Sequence, residues 1–246
     1  MPIEMFQFQL ENADMISPRV KHFVITNTDS QICDYKPVQF ITIHFEHQGN
    51  MLRRRYSIAN APQANNRLEF AASYVESGPG SEYLFHLKAG DKLQISGPFG
   101  RLVLKESPPR RYIFLATSTG VTPYRSMIPT LQQQLIADPD LSIVIFQGVP
   151  KQTDILYAED FLNLADQSPR VLFRAYLSRE TLEQAPPHIH HGHVQKGFAD
   201  LNLNTEQDYI YLCGNPAMID EAFNLLKDQG FSTQQIVREK YISSSK

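Results

Sequence analysis

Near residue 107 the chain changes its hydrophobic rhythm, and that change limits what it can fold into. Before it, short runs rich in Val, Ile, Phe and Tyr follow one another: Val20 to Thr26, Val38 to Phe45, Arg54 to Ala59, Leu68 to Val75, Lys92 to Ser96 and Arg101 to Leu104. Gly, Pro, Asn and Asp punctuate them, the pattern of short strands joined by turns. Six such strands predict a small antiparallel β-barrel. One helix interrupts them, Ser81 to Lys88, with Ser81 placed as its N-cap after Gly78-Pro79-Gly80. After Ser107-Pro108-Pro109-Arg110, a linker, strands and helices alternate. Tyr112 to Ala116, Leu141 to Phe146, Val171 to Leu177, Tyr209 to Leu212 and Gln235 to Tyr241 read as strands. Pro123 to Ile136, Asp154 to Ala165 and Pro216 to Gln229 read as helices, the last ended by Gly230. Alternation of this kind implies right-handed βαβ units on a parallel sheet, which binds nucleotides at the carboxyl ends of its strands. The expected architecture is therefore two domains, a β-barrel over residues 1–107 and an α/β domain over 110–246.

Composition narrows the function classes. A net charge of −3 over 246 residues does not favour nucleic-acid binding. Cys33 and Cys213 form no CxxC pair, which excludes an iron–sulfur cluster held by cysteines of this chain. His188, His190, His191 and His193 cluster, but no neighbouring cysteine or carboxylate completes a metal site, so no metal is expected. No apolar stretch approaches a membrane span, and the N-terminus lacks the pattern of a signal peptide. The expectation is a cytoplasmic monomer.

Five segments carry chemistry. In Arg53-Arg54-Arg55-Tyr56-Ser57-Ile58, alternation along a strand puts Arg54 and Tyr56 on one face, with Ser57 opposite or at the strand's end. A guanidinium forks onto phosphate, a phenol ring lies against a flat heterocycle, and a hydroxyl beside it bonds a ring nitrogen. A phosphate joined to a flat heterocycle describes a flavin nucleotide. The competing reading is a solvated basic strand edge that blocks edge pairing. Gly78-Pro79-Gly80-Ser81 opens a helix, where unpaired amides attract phosphate, or is a plain capped turn. With Arg54 it makes two phosphate anchors, which suits the pyrophosphate of FAD rather than FMN. Thr117-Ser118-Thr119-Gly120-Val121-Thr122-Pro123 stands at a strand–turn–helix junction where dinucleotide phosphates sit, though it is no GxGxxG fingerprint. Ser178-Arg179 ends a strand and suits the 2′-phosphate of NADP, unless Arg179 merely pairs with Glu180 or Glu183. Cys213-Gly214-Asn215-Pro216-Ala217-Met218 again runs strand, turn, helix, with Gly214 permitting close approach.

In order, these segments strongly resemble the ferredoxin–NADP reductase family, most of all its short bacterial members. The match spans nearly the whole chain and includes Gly97-Pro98-Phe99-Gly100 and Glu239-Lys240-Tyr241. The resemblance implies an FAD barrel followed by an NAD(P)-binding α/β domain. It implies hydride exchange between NADPH and FAD and single-electron exchange with ferredoxin or flavodoxin. It places FAD phosphate on Arg54, the isoalloxazine on Tyr56, flavin N5 near Ser57, and the pyrophosphate on Gly80 and Ser81. Thr119 falls where flavin and nicotinamide meet. Ser178 and Arg179 read the 2′-phosphate, Cys213 faces the nicotinamide, Glu239 lies near the reaction centre, and Tyr241 shields the flavin. Ile58, Gly120, Thr122, Pro123, Gly214 and Met218 complete the implied cofactor set, with Ser57, Cys213 and Glu239 as its catalytic members.

The chain departs from the family pattern in three places. Ser118 stands where a glycine is common, His193 stands where many members carry a second arginine for the 2′-phosphate, and five residues follow Tyr241. An imidazole is only part-charged near neutral pH, which bears on NADPH against NADH. Two other functions share the fold: an NAD(P)H-dependent reductase of free flavin or of an oxygenase partner, and a non-catalytic flavin-binding electron carrier or regulatory subunit.

Overall fold

The computed structural model describes residues 4–29, 34–63, 65–100, 102–105 and 109–241. The chain forms two compact units. Over the described residues, one comprises the chain as far as Val103 together with Thr122–Met127; the other comprises Leu104–Val121 and residues 128–241.

The first unit is a six-stranded antiparallel sheet in the order β4-β3-β6-β1-β2-β5. The strands are β1 (Phe6–Ser17), β2 (Val20–Asn27), β3 (Phe40–His47), β4 (Asn50–Ser57), β5 (Arg67–Ser73) and β6 (Lys92–Phe99). A bridge between Ile58, just past β4, and Phe70 of β5 joins the two edge strands, as a barrel requires. Alternate residues point inward: Phe8, Phe23, Ile25, Ile43, Phe70, Leu93 and Ile95 are buried, and Phe23 stacks on Phe70 with centroids 4.8 Å apart. Each such side chain contributes roughly 1.5–3 kcal/mol by leaving water. The β3–β4 hairpin turns on Gln48 and Gly49, both at positive φ (51° and 76°), the geometry of the tightest hairpin loops. Helix α1 (Pro79–His86) buries Leu84 against this core.

Two expectations for this half need correction, and one strand, β1, has no counterpart among those expected. Phe6-Gln7-Phe8-Gln9-Leu10 alternates strictly, and Phe8 and Leu10 are core residues. The strand expected at Arg101 to Leu104 is not formed over 102–104, and Arg101 lies outside the described residues. Instead β6 extends to Phe99 and pairs it with Phe40. The N-cap of α1 is Gly78, not Ser81, which is the third residue of the helix. Two residues of the expected linker, Ser107 and Pro108, also lie outside the described residues, as do Cys33 and the segment after Tyr241.

The second unit is a six-stranded parallel sheet in the order β10-β9-β8-β7-β11-β12. Its strands are β7 (Arg111–Thr117), β8 (Ser142–Val149), β9 (Val171–Leu177), β10 (Ile189–His191), β11 (Asp208–Gly214) and β12 (Ile236–Lys240). Tyr112 through Ala116 of β7 are all buried, as expected for a central strand covered on both faces. The helices are α2 (Thr122–Ala137), α3 (Ala158–Asp166) and α4 (Pro216–Asp228). Helix α3 starts later than Asp154. A 3-10 turn at Gln152–Asp154 comes first, and Tyr157 holds a left-handed backbone (φ 56°) that an α-helix cannot include. The three-residue strand β10 falls inside the histidine cluster, where sequence offers no apolar run.

Strand order reverses at β7: β8, β9 and β10 lie to one side, β11 and β12 to the other. In open α/β sheets the crevice at the carboxyl ends of the two strands flanking such a reversal is the ligand site. Here those ends are Thr117 and Gly214.

Candidate functional site

In the first unit the expected flavin residues converge. Cross-strand register pairs Arg54 with Ile43 and Tyr56 with Ile41, both core residues, so Arg54 and Tyr56 share the inward side of β4. Arg53 and Arg55 take the outward side, where they are exposed and Arg55 lies over the Phe40 ring at 5.4 Å. The solvated-edge reading thus holds for Arg53 and Arg55, since β4 is an edge of the hydrogen-bonded order, and fails for Arg54. Helix α1 meets this face through Gly80. A Cβ there would stand 2.8 Å from Arg54 Cγ and 3.2 Å from Tyr56 Oη. Only a glycine lets the helix start lie so close. The first intrahelical hydrogen bond runs from the Glu82 amide to the Gly78 carbonyl, so the amides of Gly80 and Ser81 precede the ladder.

One nitrogen of Arg54, Nη1, donates to the Arg53 carbonyl at 2.9 Å; the other, Nη2, is buried without a partner among the described residues. A buried, unpartnered guanidinium nitrogen is costly unless an anion completes it. Beside it, burial pushes the Tyr56 phenol well above its ordinary range, with the Arg54 charge pulling the other way, so the ring stays neutral. Tyr56 packs at 5.2 Å from Phe70, which orients it. These residues fit a phosphate-bearing flat heterocycle. Ser57 ends β4 and is buried, as is Ile58. The Ser81 hydroxyl is turned into its own loop. It donates to the carbonyls of Val75 (2.7 Å) and Gly78 (3.0 Å) and accepts from the Val75 amide, which leaves its backbone amide as the group facing the helix start.

In the second unit the two strand ends at the order reversal are packed backbone on backbone. A Cβ on Gly120 would stand 2.4 Å from the Cys213 carbonyl oxygen, and one on Gly214 (φ 119°) would stand 2.4 Å from Thr117 Oγ1. Thr117 Oγ1 accepts from the Asn215 amide at 2.8 Å. The Asn215 side chain in turn caps α4, accepting from the amides of Ala217 and Met218. Ser118 opens a 3-10 turn with φ 47°, a left-handed conformation that costs a non-glycine residue about 1 kcal/mol or more. That is the physical reason a glycine suits the position. Thr119 and Gly120 lie in the same turn; Thr122 and Pro123 begin α2, and the buried Thr122 hydroxyl has no partner.

Cys213 is paired in register with Ala116 on one side and Glu239 on the other. Burial pushes its thiol well up, and the nearby Glu239 carboxylate adds to this; a side-chain hydrogen bond with Tyr241 opposes both. The Tyr241 amide donates to the Gly214 carbonyl at 2.8 Å, tying the end of β12 to the turn after β11. Met218 is buried in the first turn of α4. Ser178 and Arg179 follow β9, with the Ser178 hydroxyl 3.4 Å from the Val149 carbonyl. Arg179 is exposed and makes no ion pair among the described residues, so the pairing with Glu180 or Glu183 is not formed. The Glu180 carboxylate accepts from the Gln152 amide instead.

Comparison with known proteins matches each half separately. Residues 7–104 match the oxidoreductase FAD-binding domain, and residues 114–223 match the oxidoreductase NAD-binding domain. Ferredoxin–NADP reductase B of Sorangium cellulosum is 34% identical over 176 residues, covering 72% of this chain and 71% of that protein. The chain belongs to the ferredoxin–NADP reductase family. It is an oxidoreductase with FAD-binding and NAD(P)-binding domains. The anthranilate 1,2-dioxygenase electron transfer component of Acinetobacter baylyi is 26% identical over 215 residues, covering 86% of this chain and 60% of that protein. The fold is also that of a crystal structure of a ferredoxin–NADP+ reductase from Neisseria gonorrhoeae with bound FAD and NADP. That likeness has a TM-score of 0.80 at 21% identity, over 96% of this chain and 98% of the other.

Other residues take parts that the sequence did not assign to them. Thr117 and Asn215 hold the two strand ends together; Asn-Pro after a glycine, an N-cap followed by a helix-starting proline, was the available signal. In the first unit, Glu69 accepts from Arg125 at 2.7 Å and lies 3.3 Å from His22. The hydrogen bond with His22, then those with Arg125, hold its carboxyl down at about 2 despite burial. No spacing in the sequence announces that network. Among the described residues no group of histidines, cysteines and carboxylates is placed to hold a metal ion.

Proposed function

We propose that this reductase is an FAD enzyme that exchanges hydride between NADP(H) and FAD, and single electrons between FAD and ferredoxin or flavodoxin. The observation that carries the reading is the convergence of the buried, unpartnered Arg54 Nη2 with Gly80 and Tyr56. Residues 1–107 carry FAD and residues 110–246 carry the nicotinamide nucleotide. Bound FAD supplies the conversion between two-electron and one-electron transfer. The chain supplies position and charge. Arg54 and the amides at the start of α1 bind phosphate, and two such anchors select FAD over FMN. Tyr56 beds the ring as a neutral phenol, and Ser57 offers a hydroxyl beside it. Cys213 presents an uncharged thiol, because burial and Glu239 both oppose its ionisation. Glu239 places a carboxylate beside it, and Tyr241 holds that corner through its amide and side chain. Thr119 and Gly120 lie on the approach for the dinucleotide phosphates, and Thr122 and Pro123 are assigned to cofactor binding. Ser178 and Arg179 select the 2′-phosphate.

The second reading is an NAD(P)H-dependent reductase serving an oxygenase, supported by the likeness to a dioxygenase electron transfer component. Acceptor competition separates the two. With NADPH as donor, purified ferredoxin or flavodoxin is expected to be reduced at least tenfold more efficiently, per kcat/KM, than free flavin. Faster turnover with free flavin or an oxygenase component, and none with ferredoxin or flavodoxin, would establish the second reading. We place the enzyme in the cytoplasm as a monomer; among the described residues no helix is long and apolar enough to cross a membrane.

A further inference from the structure

The carboxyl ends of β9 and β10 bring together cations that no carboxylate among the described residues pairs with. β9 and β10 run parallel, with His191 opposite Leu177, and the Gly192 amide donates to the Leu177 carbonyl at 2.8 Å. Ser178-Arg179 and Gly192-His193 therefore leave the sheet side by side. The chain then turns into a 3-10 segment, Val194–Asp200, whose Lys196 amide donates back to the His193 carbonyl. This turn folds Lys196 over Gly192. A Cβ on Gly192 would stand 3.0 Å from Lys196 Cδ and 3.3 Å from its Nζ. Gly192 holds φ 123°, so its backbone suits glycine, and the lysine side chain lies against it.

Three carboxylates of this half are engaged elsewhere. Glu180 accepts from the Gln152 amide, Asp200 from Arg174, and Glu221 from the Gln195 side chain. Neither Arg179 nor Lys196 has an ion pair among the described residues. Two unpaired cations and a hydroxyl at one sheet edge suit a phosphate monoester dianion.

We infer that Lys196 is the second cation for the adenosine 2′-phosphate, a charge that the part-protonated His193 does not supply in full. The inference rests on the NADP reading above and adds a residue to it. Arg179 forks onto the phosphate from β9, and Lys196 meets it as a point charge from the far side of Gly192. An ammonium remains charged where an imidazole is only part-charged, so preference for the 2′-phosphate does not depend on His193.

Calorimetric titration of the FAD-loaded protein at pH 8 with adenosine 2′,5′-bisphosphate and with adenosine 5′-monophosphate tests this. Wild type is expected to bind the bisphosphate at least tenfold more tightly. Lys196→Ala should remove about tenfold of bisphosphate affinity, leave the monophosphate within twofold, and leave Tm unchanged. Lys196→Arg should restore most of the loss, and His193→Ala should change either ligand less than twofold. A Lys196→Ala loss below twofold, or an equal loss for both nucleotides, overturns the role of Lys196. Equal binding of the two nucleotides by wild type would instead refute the NADP reading itself. A free-phosphate site is the remaining source of this chemistry. Inorganic phosphate that displaced the bisphosphate at an equal concentration would establish it and overturn the inference.

Discussion

The two regions proposed to hold nucleotides are built in opposite ways. At β4 and α1 the working parts are side chains: Arg54 and Tyr56 project from a strand, and Gly80 merely makes room. At the ends of β7 and β11 the working part is backbone, with Gly120 and Gly214 letting two turns touch. A side-chain site tolerates movement of its supports, because a flexible arginine can shift. A backbone site does not, because its neighbours are carbonyls and amides fixed in a parallel sheet. The same substitution, glycine to alanine, should therefore do different things in the two places.

The largest expected effect is Gly214→Ala. Its Cβ would meet Thr117 Oγ1 at 2.4 Å and the Thr117 carbonyl at 2.7 Å, from a left-handed backbone. Strain and overpacking together are expected to cost about 3–5 kcal/mol in urea unfolding. By contrast, Gly80→Ala meets side-chain atoms alone, the stem of Arg54 and the Tyr56 hydroxyl. Its stability cost should stay below about 1 kcal/mol, while FAD affinity falls about tenfold as the guanidinium moves. Equal stability losses for the two would erase the distinction.

Glu69→Gln comes next and asks whether the barrel also depends on a charge network. The Glu69 carboxyl is held down at about 2, below its ordinary value of 4.5, so it stabilises the fold fully above 4.5. The wild-type advantage, about 2–3 kcal/mol at pH 7, should shrink as pH falls from 4.5 towards 2. An advantage that stayed constant across that window would show that packing, not charge, is responsible. Arg54→Ala should weaken FAD retention by about tenfold to a hundredfold with little change in apoprotein stability, since Nη2 has no partner to lose. Heat release of FMN rather than FAD from wild type would remove the argument from two phosphate anchors. The smallest effect is expected for Tyr241→Phe, which loses one side-chain hydrogen bond to Cys213, about 1 kcal/mol or less.

The same contrast explains what could be read in advance. The shared face of Arg54 and Tyr56 was legible because strand alternation alone puts them there, and a glycine-rich helix start is a local pattern. The change of rhythm near residue 107 foretold two sheets of different kinds. Other features were not legible because they depend on tertiary placement. β1 hides behind Gln, Glu, Asn and Asp on its outer face, and β10 is too short for a period to show. Ser81 looks like a cap, but its hydroxyl is claimed by Val75. Lys196 lies three residues beyond His193, and only the turn after β10 brings it over Gly192.

The central claim is that one chain holds FAD and accepts reducing equivalents from NADPH. Anaerobic titration of the purified protein with NADPH and, in parallel, NADH tests it most directly, followed by the visible absorbance of the flavin. Full bleaching at one equivalent of NADPH, with NADH at least tenfold slower at equal concentration, is the predicted result. Flavin that remained oxidised with excess of either nucleotide would contradict the account.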